Sequence, residues 1–257
     1  MFVFAPSITL DASDPETTVT LGQLFAYLAI GIAAVVLLYY TFIYVSDVLA
    51  ADVTEAQWYL FAGIGAAIVY AVAGIGTLLL ESDTLSLFVD GAVLFFILFF
   101  ALGIRAMYHA ARPGEDRSQL LPAWADYAVI AVFVAAWWGA FLVDTDWTRL
   151  VVAAGWVLTS AWAILYAVQT VRVHEGTTLA ALTRHLLPAI LCVAGVVFVD
   201  LLTGALAGYD ALADAAWIVG TTLVAAFLFD TAVAIRQQGG ELERLYDWTT
   251  WREQSLD

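Results

Sequence analysis

Seven times along this chain, apolar residues run on for about 20 positions before polar ones interrupt them. The runs cover roughly 22–46, 57–80, 85–108, 124–143, 149–171, 186–207 and 213–236. At about 1.5 Å of rise per residue, each is long enough to cross a hydrocarbon layer about 30 Å thick as a single helix. The connections between them are short, so consecutive helices are expected to be antiparallel neighbours in one bundle. The expected fold class is all-α, a seven-transmembrane-helix bundle. Residues 1–21 form an extracellular N-terminal segment, 22–238 the transmembrane domain and 239–257 a cytoplasmic C-terminal tail.

Arginine decides the orientation. With the N-terminus outside, Arg105, Arg112, Arg117, Arg172, Arg184, Arg236, Arg244 and Arg252 fall on the cytoplasmic side, and Arg149 alone falls outside. Basic residues gather at the cytoplasmic ends of membrane spans, so this split predicts an outside N-terminus and an inside C-terminus. Lysine is missing from the whole chain, and 24 Asp and Glu set against nine arginines give a formal net charge of −15.

Hydrophobic residues make up 63% of the chain and charged ones 13%, more apolar side chain than a water-soluble domain of this size can cover. The acidity argues against nucleic-acid binding. It suits a multi-pass cell-membrane protein of a halophilic archaeon, because hydrated carboxylates keep a surface soluble in high salt; a chance compositional bias is the alternative. The opening "MFVFAPSITLDASDPETTV" has no basic n-region, so the first helix is expected to act as its own insertion signal. Cys192 stands alone inside the sixth run and reads as a small buried hydrophobe.

Charges inside apolar runs are functional candidates, because a charge in hydrocarbon is costly to keep. Four aspartates qualify. Asp90 in helix 3 and Asp200 in helix 6 fall at similar depth in the outer half. There they would share a proton or bind a cation if they met. Asp230 in helix 7 and Asp126 in helix 4 lie toward the cytoplasmic side, Asp126 so near its helix start that it reads as an end residue. Asp230 is expected to face the bundle, held by a partner such as Asp126 or Arg105. In helix 5, Trp156, Thr159, Ser160, Trp162 and Tyr166 form a candidate pocket lining, with ordinary helix packing as the other reading. His109, His174 and His185 show no metal-ligand spacing, and no catalytic triad, phosphate loop or metal cluster is visible, so neither catalysis nor a metal is expected. "GIGAA" (63–67) and "GIG" (74–76) in helix 2 should let a neighbouring helix approach closely.

"TRLVVAAGWVLTSAWAILYAV" (148–168) and "WYLFAGIGAAIVYAVAGIG" (58–76) resemble the fifth and second helices of the microbial (type I) rhodopsin superfamily. Seven helices with an outside N-terminus and short loops are similar to that family as well. The resemblance implies an opsin-like bundle and sets Asp90 where the family keeps the counterion of its retinal Schiff base. The chain departs from the family where retinal is attached: "WIVGTTLVAAFLF" (217–229) holds no lysine and lacks the aspartate four residues before it. Around Asp90, Leu87, Leu94 and Ala101 replace the family's Arg, Thr and inner donor carboxylate, and the Trp-x-x-Tyr-Pro run of helix 6 is absent. Without a lysine side chain no retinal Schiff base can form.

The expected function is therefore that of a non-enzymatic, rhodopsin-like membrane protein acting as a sensor, an accessory protein or a noncovalent ligand-binding protein. No covalent cofactor is expected; a carotenoid or lipid is the candidate noncovalent one. The bilayer is the expected partner, with other membrane proteins or further copies of the chain beside it. The alternative is a small transporter or a proton or cation channel using Asp90, Asp200 and Asp230, which requires those aspartates to face one another across a watery path. A weaker third reading, an enzyme acting on isoprenoid lipids, requires polar groups clustered at one face.

Overall fold

The computed structural model describes residues 15–45, 54–80, 82–110, 124–142, 146–173, 178–205 and 209–246. Seven α-helices are found among them: α1 (Pro15–Tyr40), α2 (Thr54–Leu80), α3 (Asp83–Ala110), α4 (Trp124–Leu142), α5 (Asp146–Val173), α6 (Thr178–Ala205) and α7 (Asp210–Tyr246). Six of them are long and apolar enough to cross a membrane, and α4 contributes a shorter apolar stretch, Tyr127–Gly139. In hydrocarbon a backbone has no water to bond, so a span must satisfy its own N–H and C=O groups, and a helix does this within one segment.

Local chemistry sets the helix ends. Pro15 opens α1, where its missing N–H would have had no helical partner in any case. Ser82 lies just before α3, and its carbonyl accepts hydrogen bonds from Leu85 N–H at 3.0 Å and Ser86 N–H at 3.3 Å. Tyr209 does the same for Leu212 and Ala213 at the start of α7, both at 3.0 Å. After Tyr40 the first helix widens into a π-helical turn, Thr41–Val45. Several helices outrun their apolar segments. α6 begins at Thr178, so much of the "HEGTTLAALTR" linker lengthens the sixth helix at its N-terminal end, and α7 runs past Gly239 and Gly240 to Tyr246. The rest of the expected tail, 247–257, and most of the N-terminal segment lie outside the described residues.

Neighbours in sequence are neighbours in space, although α4 meets α3 and α5 only lightly. α1, α2, α3, α5, α6 and α7 follow one another around a ring, and α3 meets α5 directly. α4 sits on the outside of that junction. Its Val129, Ile130 and Phe133 join a small cluster around Tyr59, Leu98 and Leu102, separate from the main core. The helices alternate in direction: Gly22 early in α1 faces Ile218 early in α7, whereas Gly76 late in α2 faces Leu85 early in α3. The odd-numbered helices thus start at what we name the first face and end at the second.

α3 is the axis of the molecule. In the most apolar window of α3, 61% of residues are buried, against 33–39% for the other spanning helices, because it touches α2, α4, α5 and α6. Close approach of α2 depends on its glycines. A side chain at Gly74 would occupy the ring of Tyr27, and a Cβ at Gly63 would lie 2.8 Å from Phe100. Small residues let TM helices pack where lipid gives no hydrophobic drive between them.

Candidate functional site

Toward the first face the bundle encloses a cavity of about 140 Å³. Among the described residues its wall is drawn from α1, α2, α3, α5, α6 and α7. Helical spacing explains the membership. On α7, Trp217, Thr221 and Val224 recur at four and three residues, and Val89, Asp90, Val93 and Phe96 mark the facing stripe of α3. Val193, Val196 and Val197 of α6 add branched apolar surface.

The polar groups gather at one part of this wall. The Tyr70 hydroxyl hydrogen-bonds both Tyr27 and Thr221, which links α2 to α1 and α7. The Tyr27 ring packs on Tyr70 with centroids 5.3 Å apart and edge-on to Trp217 at 4.9 Å. Asp90 is close enough to Tyr27 and Tyr70 to act on both electrostatically. Asp90 is also the one exposed residue among the described members of the wall, the others being buried or half-buried. Across from it, Trp156 buries its indole Nε1 with no hydrogen-bond partner among the described residues.

The expected site residues therefore separate. Asp90 and Trp156 meet at the cavity. Thr159 is buried and donates to the Gly155 carbonyl at 2.7 Å, a bond within its own helix. Ser160 is buried with its hydroxyl unpartnered among the described residues and does not line the cavity. Trp162 and Tyr166 lie nearer the second face. The Trp162 ring faces the Arg105 guanidinium at 5.9 Å, and Tyr166 packs edge-on against Tyr108 at 5.8 Å. The five residues of α5 thus serve two places rather than one pocket, since 3.6 residues per turn carries successive positions around the helix.

Asp230 has a different partner from the expected ones. Its Oδ2 lies 3.0 Å from His185 Nδ1 of α6, a pair with 61% and 38% of their side chains exposed. Arg105 turns toward α5 instead. The Asp230 pair is interhelical, as expected, but it is exposed on the outside of the bundle in its second half and not in the interior. The side chains of Asp126 and Asp200 fall outside the described residues, and with them the expected meeting of Asp90 and Asp200.

Between the two aspartates the core is tightly filled. Leu37, Leu60, Ile97, Phe100, Ile190 and Leu228 are all under 2% exposed. Further toward the second face, a gap of only about 10 Å³ remains beside Leu37, Leu60, Phe100, Thr231 and Ile235, about the least space that holds one water. Thr221 on the cavity wall and Asp230 are nine residues apart on α7, roughly 14 Å along its axis.

Sequence reasoning missed Tyr70, Thr221, Trp217 and Tyr27. A signal existed in α7, where Trp217, Thr221 and Val224 share one helical stripe. Tyr70 gave none, as a single tyrosine midway along an apolar run. Among the described residues, no group of three or more His, Cys, Asp or Glu side chains converges. No family model, no curated protein and no solved structure matches this chain.

Proposed function

We propose that this chain is a non-enzymatic, opsin-like membrane protein that binds a small molecule noncovalently in its central cavity and works as a sensor or accessory subunit. The observation that carries the reading is a polar-edged cavity that ends blindly on packed apolar side chains. Such a space suits holding a ligand, because ligand sites are concave, mostly apolar and furnished with a few placed polar groups. The arginine distribution supports an outer position for the first face and its cavity. The lysine-free sequence, together with the resemblance of its second and fifth helices to microbial rhodopsins, favours a receptor-like bundle freed from covalent retinal. A carotenoid or a lipid chain is too long for 140 Å³ and would occupy the outer grooves instead.

A transporter needs a path between its carboxylates. Asp90 and Asp230 stand at opposite sides of the apolar plug, which supports the binding reading over the transport one. The test is a thermal-shift screen of small molecules on the purified protein, paired with a variant, Val193→Trp, that fills the cavity. Ligands that raise the Tm of the parent but not of the filled variant are expected. A chain that conducts protons or cations in liposomes, with flux abolished by Asp230→Ala and stability unchanged, would reject this reading. All-trans retinal is expected to give no protonated Schiff-base band and no borohydride-fixed adduct.

A further inference from the structure

We propose that the cavity receives a compact organic cation of the substituted-ammonium class that also carries an acceptor oxygen; this rests on the ligand-binding reading above and names its ligand. Three features of the wall converge on that chemistry. The first is charge. Among the described lining residues Asp90 is the only acidic or basic side chain, and it is the exposed one. A positive group placed beside it is attracted across a medium that screens far less than water, and an anion is repelled.

The second feature is aromatic. Tyr70, Trp156 and Trp217 reach the cavity from three different helices. The faces of such rings attract cations, tryptophan most strongly, and cages of them recognise alkylated ammonium groups. The valines on the remaining wall are suited to methyl groups and poorly suited to hydration. The third feature is the buried Trp156 Nε1, which has no acceptor among the described residues. Leaving a buried donor unsatisfied is costly, and an oxygen on the ligand would accept its hydrogen bond.

Competing occupants use less of the wall. A hard metal cation seeks about six or more oxygen ligands, whereas the lining offers the Asp90 carboxylate and the hydroxyls of Tyr70 and Thr221. A neutral apolar molecule engages neither Asp90 nor the indole N–H. Size is also consistent, because 140 Å³ is close to a cavity of about 150 Å³ that holds benzene.

The experiment titrates the full-length purified protein with choline and follows tryptophan fluorescence and calorimetric heat. Tetramethylammonium and 3,3-dimethylbutan-1-ol, the uncharged counterpart of choline, are run beside it. Choline is expected to bind saturably, and the uncharged counterpart to bind roughly tenfold or more weakly. Asp90→Asn is expected to weaken choline by a similar factor. Trp156→Phe keeps a ring but removes the N–H, so it should weaken choline by more than it weakens tetramethylammonium. The two variants act independently, so failure of one to fold leaves the other decisive.

Equal binding of choline and its uncharged counterpart, or choline binding untouched by both substitutions, overturns the cation assignment. So does failure of both cations to bind. If the broader screen then yields neutral ligands that Val193→Trp excludes, only the cation assignment falls. If it yields none, the ligand-binding reading falls with it.

Discussion

Toward the first face, Tyr70, Trp156, Trp217 and Thr221 surround an open space beside Asp90; toward the second, the same helices close on one another through Leu37, Leu60, Phe100 and Leu228. Both halves are rich in apolar side chains, so hydrophobicity does not distinguish them. Shape and polarity do. Tyr70 is held by hydrogen bonds to Tyr27 and Thr221, and Trp217 by its edge-on contact with Tyr27, which fix their positions before they can fill a gap. Leucine and isoleucine have no such obligation and interdigitate to the density of an organic crystal. The difference teaches that a cavity in a helical membrane protein is made by side chains with somewhere else to be.

The largest effect is expected from opening the closed half. Phe100 is 1% exposed and packs against Gly63 of α2 and, at 4.7 Å between ring centroids, against Phe96. Phe100→Ala should cost about 3–5 kcal/mol, seen as a large fall in detergent Tm. A loss under about 1 kcal/mol would mean that the second half is looser than its burial implies.

Next comes Gly74→Ala, whose new methyl meets the Tyr27 ring. Overpacking of this kind costs about 1–3 kcal/mol. Because Tyr27 bears on Tyr70 and Trp217, tryptophan emission should shift along with the Tm. The control is Gly65→Ala in the same helix, where nothing lies within 4 Å of the added Cβ. That variant should be neutral, or more stable by up to about 1 kcal/mol, through helix propensity. Equal destabilisation by both would remove the claim that α1 approaches α2 through Gly74.

Tyr70→Phe removes the hydroxyl that joins α2 to Tyr27 and Thr221. The expected cost is about 0.5–1.5 kcal/mol, and Thr221→Val in the same background should add less than it does alone, because the two residues share one hydrogen bond. Strict additivity in that cycle would break the link. The smallest effect belongs to the outside of the second half. His185→Ala and Asp230→Ala each remove an exposed pair, typically worth about 0.2–1 kcal/mol. A loss of several kcal/mol would put the pair in the interior, where the sequence had suggested it.

Much of the architecture was legible because a bilayer leaves few options: long apolar runs must be helices, and short connections must join neighbours. The runs at 22–46, 57–80, 85–108, 149–171, 186–207 and 213–236 all correspond to membrane-length helices. The position of α4 outside the α3–α5 contact could not be read, because "WADYAVIAVFVAAWWGAFL" is apolar all round and names no buried face. Asp90 was legible as a charge in the wrong solvent. Its surroundings were not, since they come from five other helices whose rotations only packing decides. Asp230 shows the reverse case. An interhelical partner was expected, but a carboxylate on the exposed side of its helix can meet whatever polar group a neighbouring helix brings there, and His185 is the one that does. Helix-to-helix pairing of this kind leaves no trace in spacing along a single chain.

α7 is 37 residues long, about 55 Å at helical rise, against about 30 Å of hydrocarbon. It is one continuous helix that lines the cavity near its start and runs on well past its apolar stretch. From Thr221 to Tyr246 the lever arm is roughly 37 Å, so a pivot of about 5° at the cavity sweeps the far end through about 3 Å. Rearrangement too small to disturb the packed rings around Asp90 thus becomes, at Tyr246, a displacement the size of a hydrogen bond.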